Sequence, residues 1–227
     1  MKVLIVDVGG THVNILASGQ KEPRRFSSGP NLTAKEMVRQ VQELTGDWKF
    51  DAVSIGYSGP VMRGRPIAEP HNLGGGWVGF SFEAFRRHVE VVNDAAMQAM
   101  GSYTRGKMLF LGLGTGLGST LIVDGFIELM EMSHLPYRKG TYEDYIGARA
   151  LAKLGQKKWQ HYISDMEARL TDALEPDDVV LRGGNAKKLK KLPPGCRAGD
   201  NANAFLGGFR LWEKEHIDGS DHRVTRH

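Results

Sequence analysis

The spacing of apolar residues changes along the chain between a period of two and a period of three to four, and these changes define the predicted elements. In the first half, the predicted elements are strands at 2–8, 12–17, 24–28 and 51–57, a helix from its cap Thr33 to Leu44, a short helix at 82–88, a strand at 89–92 and a helix at 93–100. Residues 58–79 are rich in glycine and proline, and we predict a long loop there. Loops of this length in a compact domain usually have a function.

The second half repeats the order of the first. Its predicted elements are strands at 108–113, 120–123 and 126–132, two amphipathic helices within 142–174, a strand at 179–181 and a last helix with Phe205, Phe209 and Trp212 on one face. Each half begins with a strand, a Gly-Thr turn and a second strand, which indicates an internal duplication. We therefore expect a first lobe at 1–103, a second lobe at 104–200, and a final segment at 201–227 that packs back on the first lobe.

The composition is that of a globular protein and excludes several other classes. Of the 227 residues, 41% are hydrophobic and 25% are charged, which is ordinary for a chain that buries a core. No apolar run approaches the roughly 18 residues of a membrane span, and the first residues do not resemble a secretory signal, so we expect a cytoplasmic protein with no membrane partner. The net charge of +4 favours anionic partners, but it is too small and too dispersed to indicate nucleic acid.

Glycine is unusually frequent and is concentrated in turns. The chain has 29 glycines, where average usage of roughly 7% would give about 16. The first cluster, Gly9 and Gly10, follows Asp7 and precedes Thr11, and such a turn can point backbone N–H groups at an anion. A carboxylate beside phosphate implies a bridging Mg²⁺. The alternative for this segment is a plain hairpin turn.

A second Gly-Thr turn lies within Gly112–Gly118 and contains Gly114, Thr115 and Gly116. It stands at the equivalent point of the second half. Two such turns facing each other across a cleft would hold a phosphate chain from both sides, and the pair is stronger evidence than one glycine-rich loop alone.

Polar residues that suit catalysis and sugar binding stand near these turns. Asp94 lies where a strand gives way to a helix, and a carboxylate there can accept a proton from a hydroxyl that attacks phosphorus; the alternative is a helix cap. Asn72, Glu131 and His134 match the hydrogen-bonding needs of sugar hydroxyls, although His134 could equally be an ordinary surface or core histidine. The single cysteine, Cys196, offers no zinc cluster with His134.

The segment after the 179–181 strand combines glycine with lysine. Gly183 and Gly184 are predicted to open a helix whose N-terminus can face an anion. Four lysines follow closely, namely Lys187, Lys188, Lys190 and Lys191. Such a run is usually a solvated helix face, but phosphate binding becomes the stronger interpretation if the run lies beside a phosphate cleft.

Taken in order, these motifs resemble the ROK sugar kinases of the actin-like ATPase/hexokinase superfamily, and most closely the polyphosphate glucokinase branch. The resemblance rests on Asp7–Thr11, Ser58–Pro60, Asn72–Gly74 with Trp77, Asn93-Asp94, Gly112–Gly118, Glu131–His134 and Gly183-Gly184 with Lys187-Lys188. It implies an α/β fold of two ribonuclease-H-like lobes with a cleft between them, and a homodimer.

The resemblance also implies a role for each matching residue. Asp94 corresponds to the catalytic base that takes the proton from the 6-hydroxyl of glucose. The sugar-binding shell corresponds to Asn72, Asn93, Asp94, Glu131 and His134. The donor site corresponds to two phosphate loops: Gly9, Gly10 and Thr11, with Mg²⁺ on Asp7, and Gly114, Thr115 and Gly116. Gly183 and Gly184 match the segment that contacts adenosine in relatives that use ATP.

The chain departs from the family pattern at several points. His12 stands where many relatives have lysine, and Ser133 stands where glycine is usual before the histidine. The zinc-binding cysteine cluster of many ROK proteins is absent, as in polyphosphate glucokinases. No DNA-binding extension precedes Asp7, so we expect no nucleic-acid partner and no transcriptional regulator.

The sequence therefore predicts a kinase that phosphorylates glucose at its 6-hydroxyl with Mg²⁺ and either polyphosphate or ATP. Polyphosphate is favoured because the lysines at 187–191 could form a cationic track, whereas ATP needs an apolar slot near Gly183 and Gly184. Two alternatives remain open: a non-catalytic sugar-binding sensor, and a kinase for another substrate, such as another hexose or a short carboxylic acid. The combination of Asp94 with Glu131 and His134 argues against the sensor.

Overall fold

The computed structural model describes residues 1–200 and 203–213. The chain divides into two compact units, Met1–Gly101 with the segment from Ala204 onward, and Ser102–Asn203. Within the described residues, no helix is long and apolar enough to span a membrane. The predicted final segment at 201–227 lies partly outside the described residues, which contain its helix but not residues 201–202 and 214–227.

The first unit is built on a five-stranded sheet of strand order β3-β2-β1-β4-β7. In chain order its elements are β1 (Val3–Val8), β2 (His12–Ala17), β3 (Arg24–Ser27), α1 (Ala34–Leu44), β4 (Ala52–Tyr57), β5 (Val61–Met62), β6 (Arg65–Pro66), a 3₁₀ helix (Phe82–Phe85), β7 (His88–Asn93) and α2 (Asp94–Ser102). The first three strands are antiparallel neighbours, and β1, β4 and β7 are parallel.

The second unit has a five-stranded sheet of order β10-β9-β8-β13-β14. Its elements are β8 (Lys107–Leu113), β9 (Leu117–Val123), β10 (Phe126–Met130), β11 (Pro136–Tyr137), β12 (Gly140–Thr141), α3 (Tyr142–Ile146), α4 (Ala148–Leu154), α5 (Gln156–Leu174), β13 (Asp178–Arg182), a 3₁₀ helix (Ala186–Lys188) and β14 (Cys196–Ala198). Three antiparallel strands followed by two parallel strands repeat the order of the first sheet. The predicted duplication and the α/β class of ribonuclease-H-like lobes are confirmed.

Local sequence explains why α1 forms and how it packs. The Thr33 hydroxyl accepts a hydrogen bond from the backbone N–H of Glu36 at 3.2 Å, which caps the helix as predicted. Met37 and Val41 are fully buried on one face of α1 and belong to the same apolar cluster as Leu4 of β1. The periodicity of three to four residues therefore describes a helix that covers one face of the first sheet.

A last helix, α6 (Asn203–Arg210), covers the opposite face of that sheet. Val3 and Ile5 alternate along β1 with the residues that face α1, and they pack with Ala204 of α6. The Ser54 hydroxyl of β4 donates to the backbone carbonyl of Gly208 at 2.7 Å. The first unit is thus a sheet with helices on both faces.

The two helices predicted within 142–174 are three in the structure, α3, α4 and α5, and three other predicted elements also differ from those observed. The predicted helix at 82–88 is only the 3₁₀ helix Phe82–Phe85, because Arg86 adopts the left-handed conformation at φ +52° and the chain then enters β7. The predicted loop at 58–79 contains the hairpin of β5 and β6, whose turn residues Arg63 and Gly64 both have positive φ. The third difference concerns the segment after β13.

The helix predicted to open at Gly183 and Gly184 is wrong. Only the three-residue 3₁₀ helix Ala186–Lys188 forms. Side chains of α5 satisfy the backbone that follows: the amide oxygen of Gln160 accepts from the N–H of Lys190 at 3.1 Å, and the amide nitrogen of Gln156 donates to the carbonyl of Lys188. The lysine run is therefore an irregular segment held against α5, not a helix face.

Candidate functional site

In the first unit, the candidate residues collect at one edge of the sheet. Parallel strands β1, β4 and β7 are in register through Val8, Tyr57 and Asn93, which pair across the three strands. The carboxyl ends of parallel strands are where α/β sheets bind ligands. Because neighbouring strands are about 4.8 Å apart, the residues that follow β1 and those that follow β7 lie roughly 10 Å apart at this edge.

The Gly9–Thr11 turn is tightly braced. The N–H of Gly9 donates to the carbonyl of His12 at 3.0 Å. Ser28, just after β3, donates its hydroxyl to the carbonyl of Gly9 at 2.6 Å and its N–H to the carbonyl of Thr11 at 3.0 Å. Asp7 accepts from the amide of Asn14 at 3.3 Å. Ser28 and Asn14 were not anticipated from the sequence, because only the pairing of β2 with β3 brings them to this turn.

Asn72 lies against the same turn. A Cβ atom placed on Gly10 would be 3.5 Å from Cβ and 3.9 Å from Nδ2 of Asn72, and both residues are exposed. The long 58–79 segment thus returns to the sheet edge. Asn72 and Gly10 are brought together as a sugar-and-phosphate site requires.

Asn93, rather than Asp94, caps α2. The amide oxygen of Asn93 accepts from the N–H groups of Ala95 and Ala96 at 2.9 and 3.4 Å, and its nitrogen donates to the carbonyl of Gly59 at 3.0 Å. Asp94 is the half-buried first residue of the helix, and its Oδ1 accepts from the N–H of Ala95 at 2.8 Å. The positive end of the helix dipole favours the ionised carboxylate at this position.

In the second unit, the loop at 112–118 is locked to the segment that follows β13. Gly183 has φ +102°, and a Cβ atom there would be 2.3 Å from the carbonyl oxygen of Leu113. The buried Asn185 donates its N–H to that carbonyl at 3.0 Å and its side-chain amide to the carbonyl of Gly114 at 2.7 Å. Asn185 was missed by sequence reasoning, although it directly follows the two glycines.

The turn at 131–134 is anchored through Ser133. The buried Ser133 hydroxyl donates to the carbonyl of Leu117 at 2.7 Å, at the end of the glycine-rich loop. The carboxylate of Glu131 accepts from the N–H of Ser133 at 2.9 Å. Glu131 and His134 are both exposed. The serine that replaces the usual glycine therefore adds a hydrogen bond that holds this turn against β9.

Glu143 is a further residue beside the glycine-rich loop and the 131–134 turn, and the sequence analysis did not identify it. Its carboxylate Oε2 would be 3.0 Å from a Cβ atom placed on Gly116, and its N–H donates to the carbonyl of Ser133 at 3.0 Å. Glu143 thus lies where the loop meets the turn. It is held in the first turn of α3 by a capping box of Thr141 and Asp144, and that T-x-x-D pattern was the available signal.

The electrostatics of α3 follow from this capping box. The pKa of Asp144 is lowered chiefly by hydrogen bonds from the backbone and side chain of Thr141, with a smaller contribution from the charge of His134.

The remaining predicted site residues have simpler surroundings. Thr11, Thr115, Gly184, Lys187 and Lys188 are all exposed. A Cβ atom on Gly114 or Gly184 would meet no atom within 4 Å. Open space at Gly114, next to a loop locked at Gly183, leaves the loop backbone accessible to a ligand.

Asp7 is the predicted magnesium ligand, and its surroundings suit a Mg²⁺ ion that is bound by the protein and by substrate phosphates together. Among the described residues, no group of three or more His, Cys, Asp or Glu side chains could hold a metal. Mg²⁺ commonly uses one or two carboxylates together with water and substrate phosphates. A single carboxylate beside the Gly9–Thr11 turn fits that kind of binding.

An open groove of about 1480 Å³ lies elsewhere in the first unit. Its walls include four arginines, Arg63, Arg65, Arg86 and Arg87, and none of its lining residues is a predicted site residue. The groove follows β7, β5 and β6 rather than the strand ends described above.

Comparison with known proteins supports the resemblance. No protein-family model matches the chain. The chain is 27% identical over 146 residues to a glucokinase of Pyrobaculum calidifontis, covering 56% of this chain and 45% of that protein. It is 24% identical over 179 residues to a polyphosphate glucokinase of Mycobacterium leprae, covering 71% and 55%. The chain spans about half the length of the curated relatives it matches.

Solved structures share the fold over nearly the whole chain. The inorganic polyphosphate/ATP-glucomannokinase of Arthrobacter sp. strain KM has a TM-score of 0.78 at 19% identity, covering 95% of this chain and 99% of that one. A ROK family glucokinase of Streptomyces griseus, solved with glucose and AMPPNP, has a TM-score of 0.75 at 15% identity, covering 94% and 100%. A ROK family transcriptional regulator also matches, with a TM-score of 0.72 at 12% identity, covering 94% and 78%. The resemblance to ROK proteins is confirmed, and the fold is theirs.

Proposed function

We propose that this protein is a sugar kinase that transfers a phosphoryl group to the 6-hydroxyl of glucose, with Mg²⁺ and with polyphosphate, ATP or both as donor. The observation that carries the proposal is the half-buried Asp94, which follows β7 at the same sheet edge as the Gly9–Thr11 turn. A carboxylate at that edge, beside a turn suited to phosphate, is the arrangement that phosphoryl transfer to a hydroxyl requires.

Asp94 acts as the general base in this proposal. Its Oδ1 accepts from the N–H of Ala95, and this bond fixes the direction of the carboxylate. A fixed base accepts the hydroxyl proton as the sugar oxygen attacks phosphorus. Asn93 supports this role indirectly, because it caps α2 and ties the helix start to Gly59.

The two Gly-Thr turns bind the donor. Gly9, Gly10 and Thr11 bind phosphate with the help of Mg²⁺ on Asp7, where the ion would neutralise charge on the transferred group. Gly114, Thr115 and Gly116 form the second turn, whose backbone is held in place by Asn185. Positioning and charge neutralisation supply most of the rate in such reactions.

The sugar hydroxyls are bound by Asn72, Glu131 and His134, and Glu143 joins them. Two carboxylates and a histidine offer both acceptors and donors, which hydroxyl groups need. Glu143 lies against Gly116 and the 131–134 turn, so its carboxylate links the sugar-binding residues of this unit with the phosphate turn.

Polyphosphate is the favoured donor. Lys187 and Lys188 follow Asn185 after one intervening residue, and Asn185 is bonded to the second phosphate turn. Lysines at that place suit a chain of many phosphates, which needs cations and no pocket for a base. The similarity to a polyphosphate glucokinase and to a polyphosphate/ATP-glucomannokinase supports this choice.

A coupled assay for glucose 6-phosphate, run with each donor in turn, tests the function, and Asp94→Asn tests the mechanism. We expect this variant to fold normally and to lose about 10²- to 10⁴-fold in kcat, the usual contribution of a general base. Asp124→Asn is the matched control, because Asp124 is an exposed aspartate with φ +49° that asparagine tolerates.

The same assay separates the alternatives. A near wild-type kcat in Asp94→Asn would remove Asp94 from the mechanism. Glucose binding without product from any donor would identify a sugar sensor instead, and product with another hexose alone would change the substrate. A homodimer in the cytoplasm remains part of the proposal, and light scattering in solution tests the dimer.

A further inference from the structure

Two segments of the second unit carry many cations and no acidic residue. Residues 145–164 contain one arginine and three lysines, and residues 179–199 contain two arginines and four lysines. These ten cations compare with a net charge of +4 for the whole chain, so the other residues carry six net negative charges. The mild charge of the chain therefore conceals a local concentration of positive charge.

The fold joins these two segments into one surface. Gln156 and Gln160, one turn apart on α5, bond to the backbone of the second segment: Gln160 donates to the carbonyl of Lys191 at 3.3 Å and accepts from the N–H of Lys190 at 3.1 Å, and Gln156 donates to the carbonyl of Lys188. We define the lysine surface by the exposed members of both segments, Lys153, Lys157, Lys158, Lys187, Lys188, Lys190 and Lys191.

Among the described residues, no acidic side chain forms an ion pair with a lysine of this surface. The ion pairs found in residues 1–200 and 203–213 use arginine, and none of them includes a lysine. Lys157 and Lys158 also lie in the first turn of α5, which has no acidic residue there. Cations are disfavoured at a helix N-terminus. An anionic ligand would relieve both the mutual repulsion and this unfavourable placement.

The lysine surface begins at the second phosphate turn. Asn185 is bonded to Leu113 and Gly114, and the 3₁₀ helix that carries Lys187 and Lys188 starts at the next residue. From there the chain is bonded to α5 at Gln156 and Gln160. A continuous series of contacts thus leads from the turn to Lys157 and Lys158.

We propose that the lysine surface binds the distal part of an inorganic polyphosphate chain whose terminal phosphates lie at Gly114–Gly116. This inference rests on the proposed function of that turn as a donor site. It adds Lys153, Lys157 and Lys158 of the α4–α5 region to the donor-binding residues, and it makes donor affinity depend on chain length. ATP and tripolyphosphate carry only three phosphates each, so we expect them to make fewer contacts with the lysines of α5 than long chains make.

The surroundings favour polyphosphate over nucleic acid. Single-stranded nucleic acids are bound by cations together with exposed aromatic rings on which bases stack. Residues 179–199 contain no aromatic residue. Trp159 is fully buried, and Tyr145 and Tyr162 pack against each other with ring centroids 5.0 Å apart. Within the two segments, His161 is the one ring that is exposed rather than half-buried or buried, so the surface offers much charge and little area for stacking.

The double variant Lys157→Gln/Lys158→Gln tests the inference, since it changes only residues outside the phosphate turn. The matched control is Lys35→Gln/Lys49→Gln, which removes the same charge from exposed lysines of the first unit; Lys35 is likewise the second residue of a helix. Both variants should fold like the wild type and melt at its temperature or slightly above it, because the replaced side chains are exposed and the loss of a cation from a helix N-terminus is favourable.

The first measurement is the affinity for long-chain polyphosphate. It is determined by titration calorimetry in the absence of glucose, at several salt concentrations. We expect the Lys157/Lys158 variant to bind about tenfold more weakly, and its slope of log affinity against log salt to fall by about 1 to 2. The control should match the wild type. Equal affinity and equal slope in the two double variants would overturn the inference.

The second measurement is kcat/KM with long-chain polyphosphate, tripolyphosphate and ATP. The ratio of the long-chain value to the ATP value should fall about tenfold in Lys157→Gln/Lys158→Gln and stay constant in the control; an unchanged ratio contradicts the inference. Absence of product with every donor would refute the proposed function, while the binding experiment would still decide the role of the lysines. Tighter binding of a single-stranded oligonucleotide than of polyphosphate of equal charge would assign the surface to nucleic acid instead.

Discussion

Replacing Gly183 by alanine should push the segment 183–185 away from the glycine-rich loop at 112–118 in the second unit. Gly183 has φ +102°, and an added Cβ atom would be 2.3 Å from the carbonyl oxygen of Leu113. That oxygen is backbone within β8 and cannot rotate away. The segment from 183 to 185 must therefore move, and with it Asn185, whose two hydrogen bonds position Leu113 and Gly114.

The size of the effect follows from two costs. A non-glycine residue in this backbone region costs about 1–3 kcal/mol. To restore ordinary contact at 3.4 Å from the present 2.3 Å, the segment must move by about 1.1 Å, and overpacking of this kind costs about 1–3 kcal/mol more. We expect Gly183→Ala to lower the free energy of unfolding by about 2–6 kcal/mol, a large part of the stability of an ordinary domain.

Gly184→Ala is the matched control. An added Cβ atom at 184 would meet nothing within 4 Å, and its φ is outside the left-handed region. Denaturant unfolding followed by fluorescence should show a change within about 0.5 kcal/mol for Gly184→Ala. Equal free energies of unfolding for the two alanine variants would refute the argument that Gly183 is required for the close approach to Leu113.

Two further predictions concern other parts of the molecule. Alanine at Gly207 of α6 would gain about 1 kcal/mol in helix propensity, but its Cβ atom would lie 1.7 Å from the carbonyl oxygen of Met97; we therefore expect a loss of at least about 2 kcal/mol, and a raised melting temperature in calorimetry would contradict it. Burial, with the nearby carboxylate of Glu167, raises the pKa of the Cys196 thiol to about 12. The raised pKa keeps the thiol protonated at pH 8, and only the thiolate reacts with a disulfide reagent. Labelling should therefore be about 10³-fold slower than in the denatured chain, whose thiol has a pKa of about 8.5. Equal rates would show that the thiol is not desolvated.

Much of the fold could be predicted from the sequence because it depends on neighbouring residues. The continuous apolar run of β1, the period of two in β2 and the cap at Thr33 are local signals, and the observed elements agree with them. The repeated order of strands revealed two similar sheets. The helix predicted at 82–88 is shorter than expected, because Arg86 turns the chain. The helix predicted to open at Gly183 and Gly184 was wrong, because α5 side chains bind the backbone there.

The candidate site could be predicted only in part. Gly-Thr turns and the Asn93-Asp94 pair stand at strand ends, and parallel pairing then places those ends at one edge. The contacts of Asn185 with Gly114 and of Glu143 with Gly116 could not be predicted, because these residues are distant in sequence; the capping box at Thr141 and Asp144 marks only the helix start that holds Glu143. Sequence reasoning also left open whether Asp94 was the helix cap, and the structure assigns the cap to Asn93.

The sequence by itself determined the two repeated units, the two Gly-Thr turns proposed to bind phosphate and the residue types proposed for sugar binding and proton transfer. Only the tertiary structure decided which side chains brace those turns and which cations share a surface. The lysines of α5 and those after β13 are about 30 positions apart, as the bond from Gln156 to Lys188 illustrates. Periodicity acts over a few residues, whereas such contacts depend on how sheets and helices pack, and this packing is what assembles the basic surface.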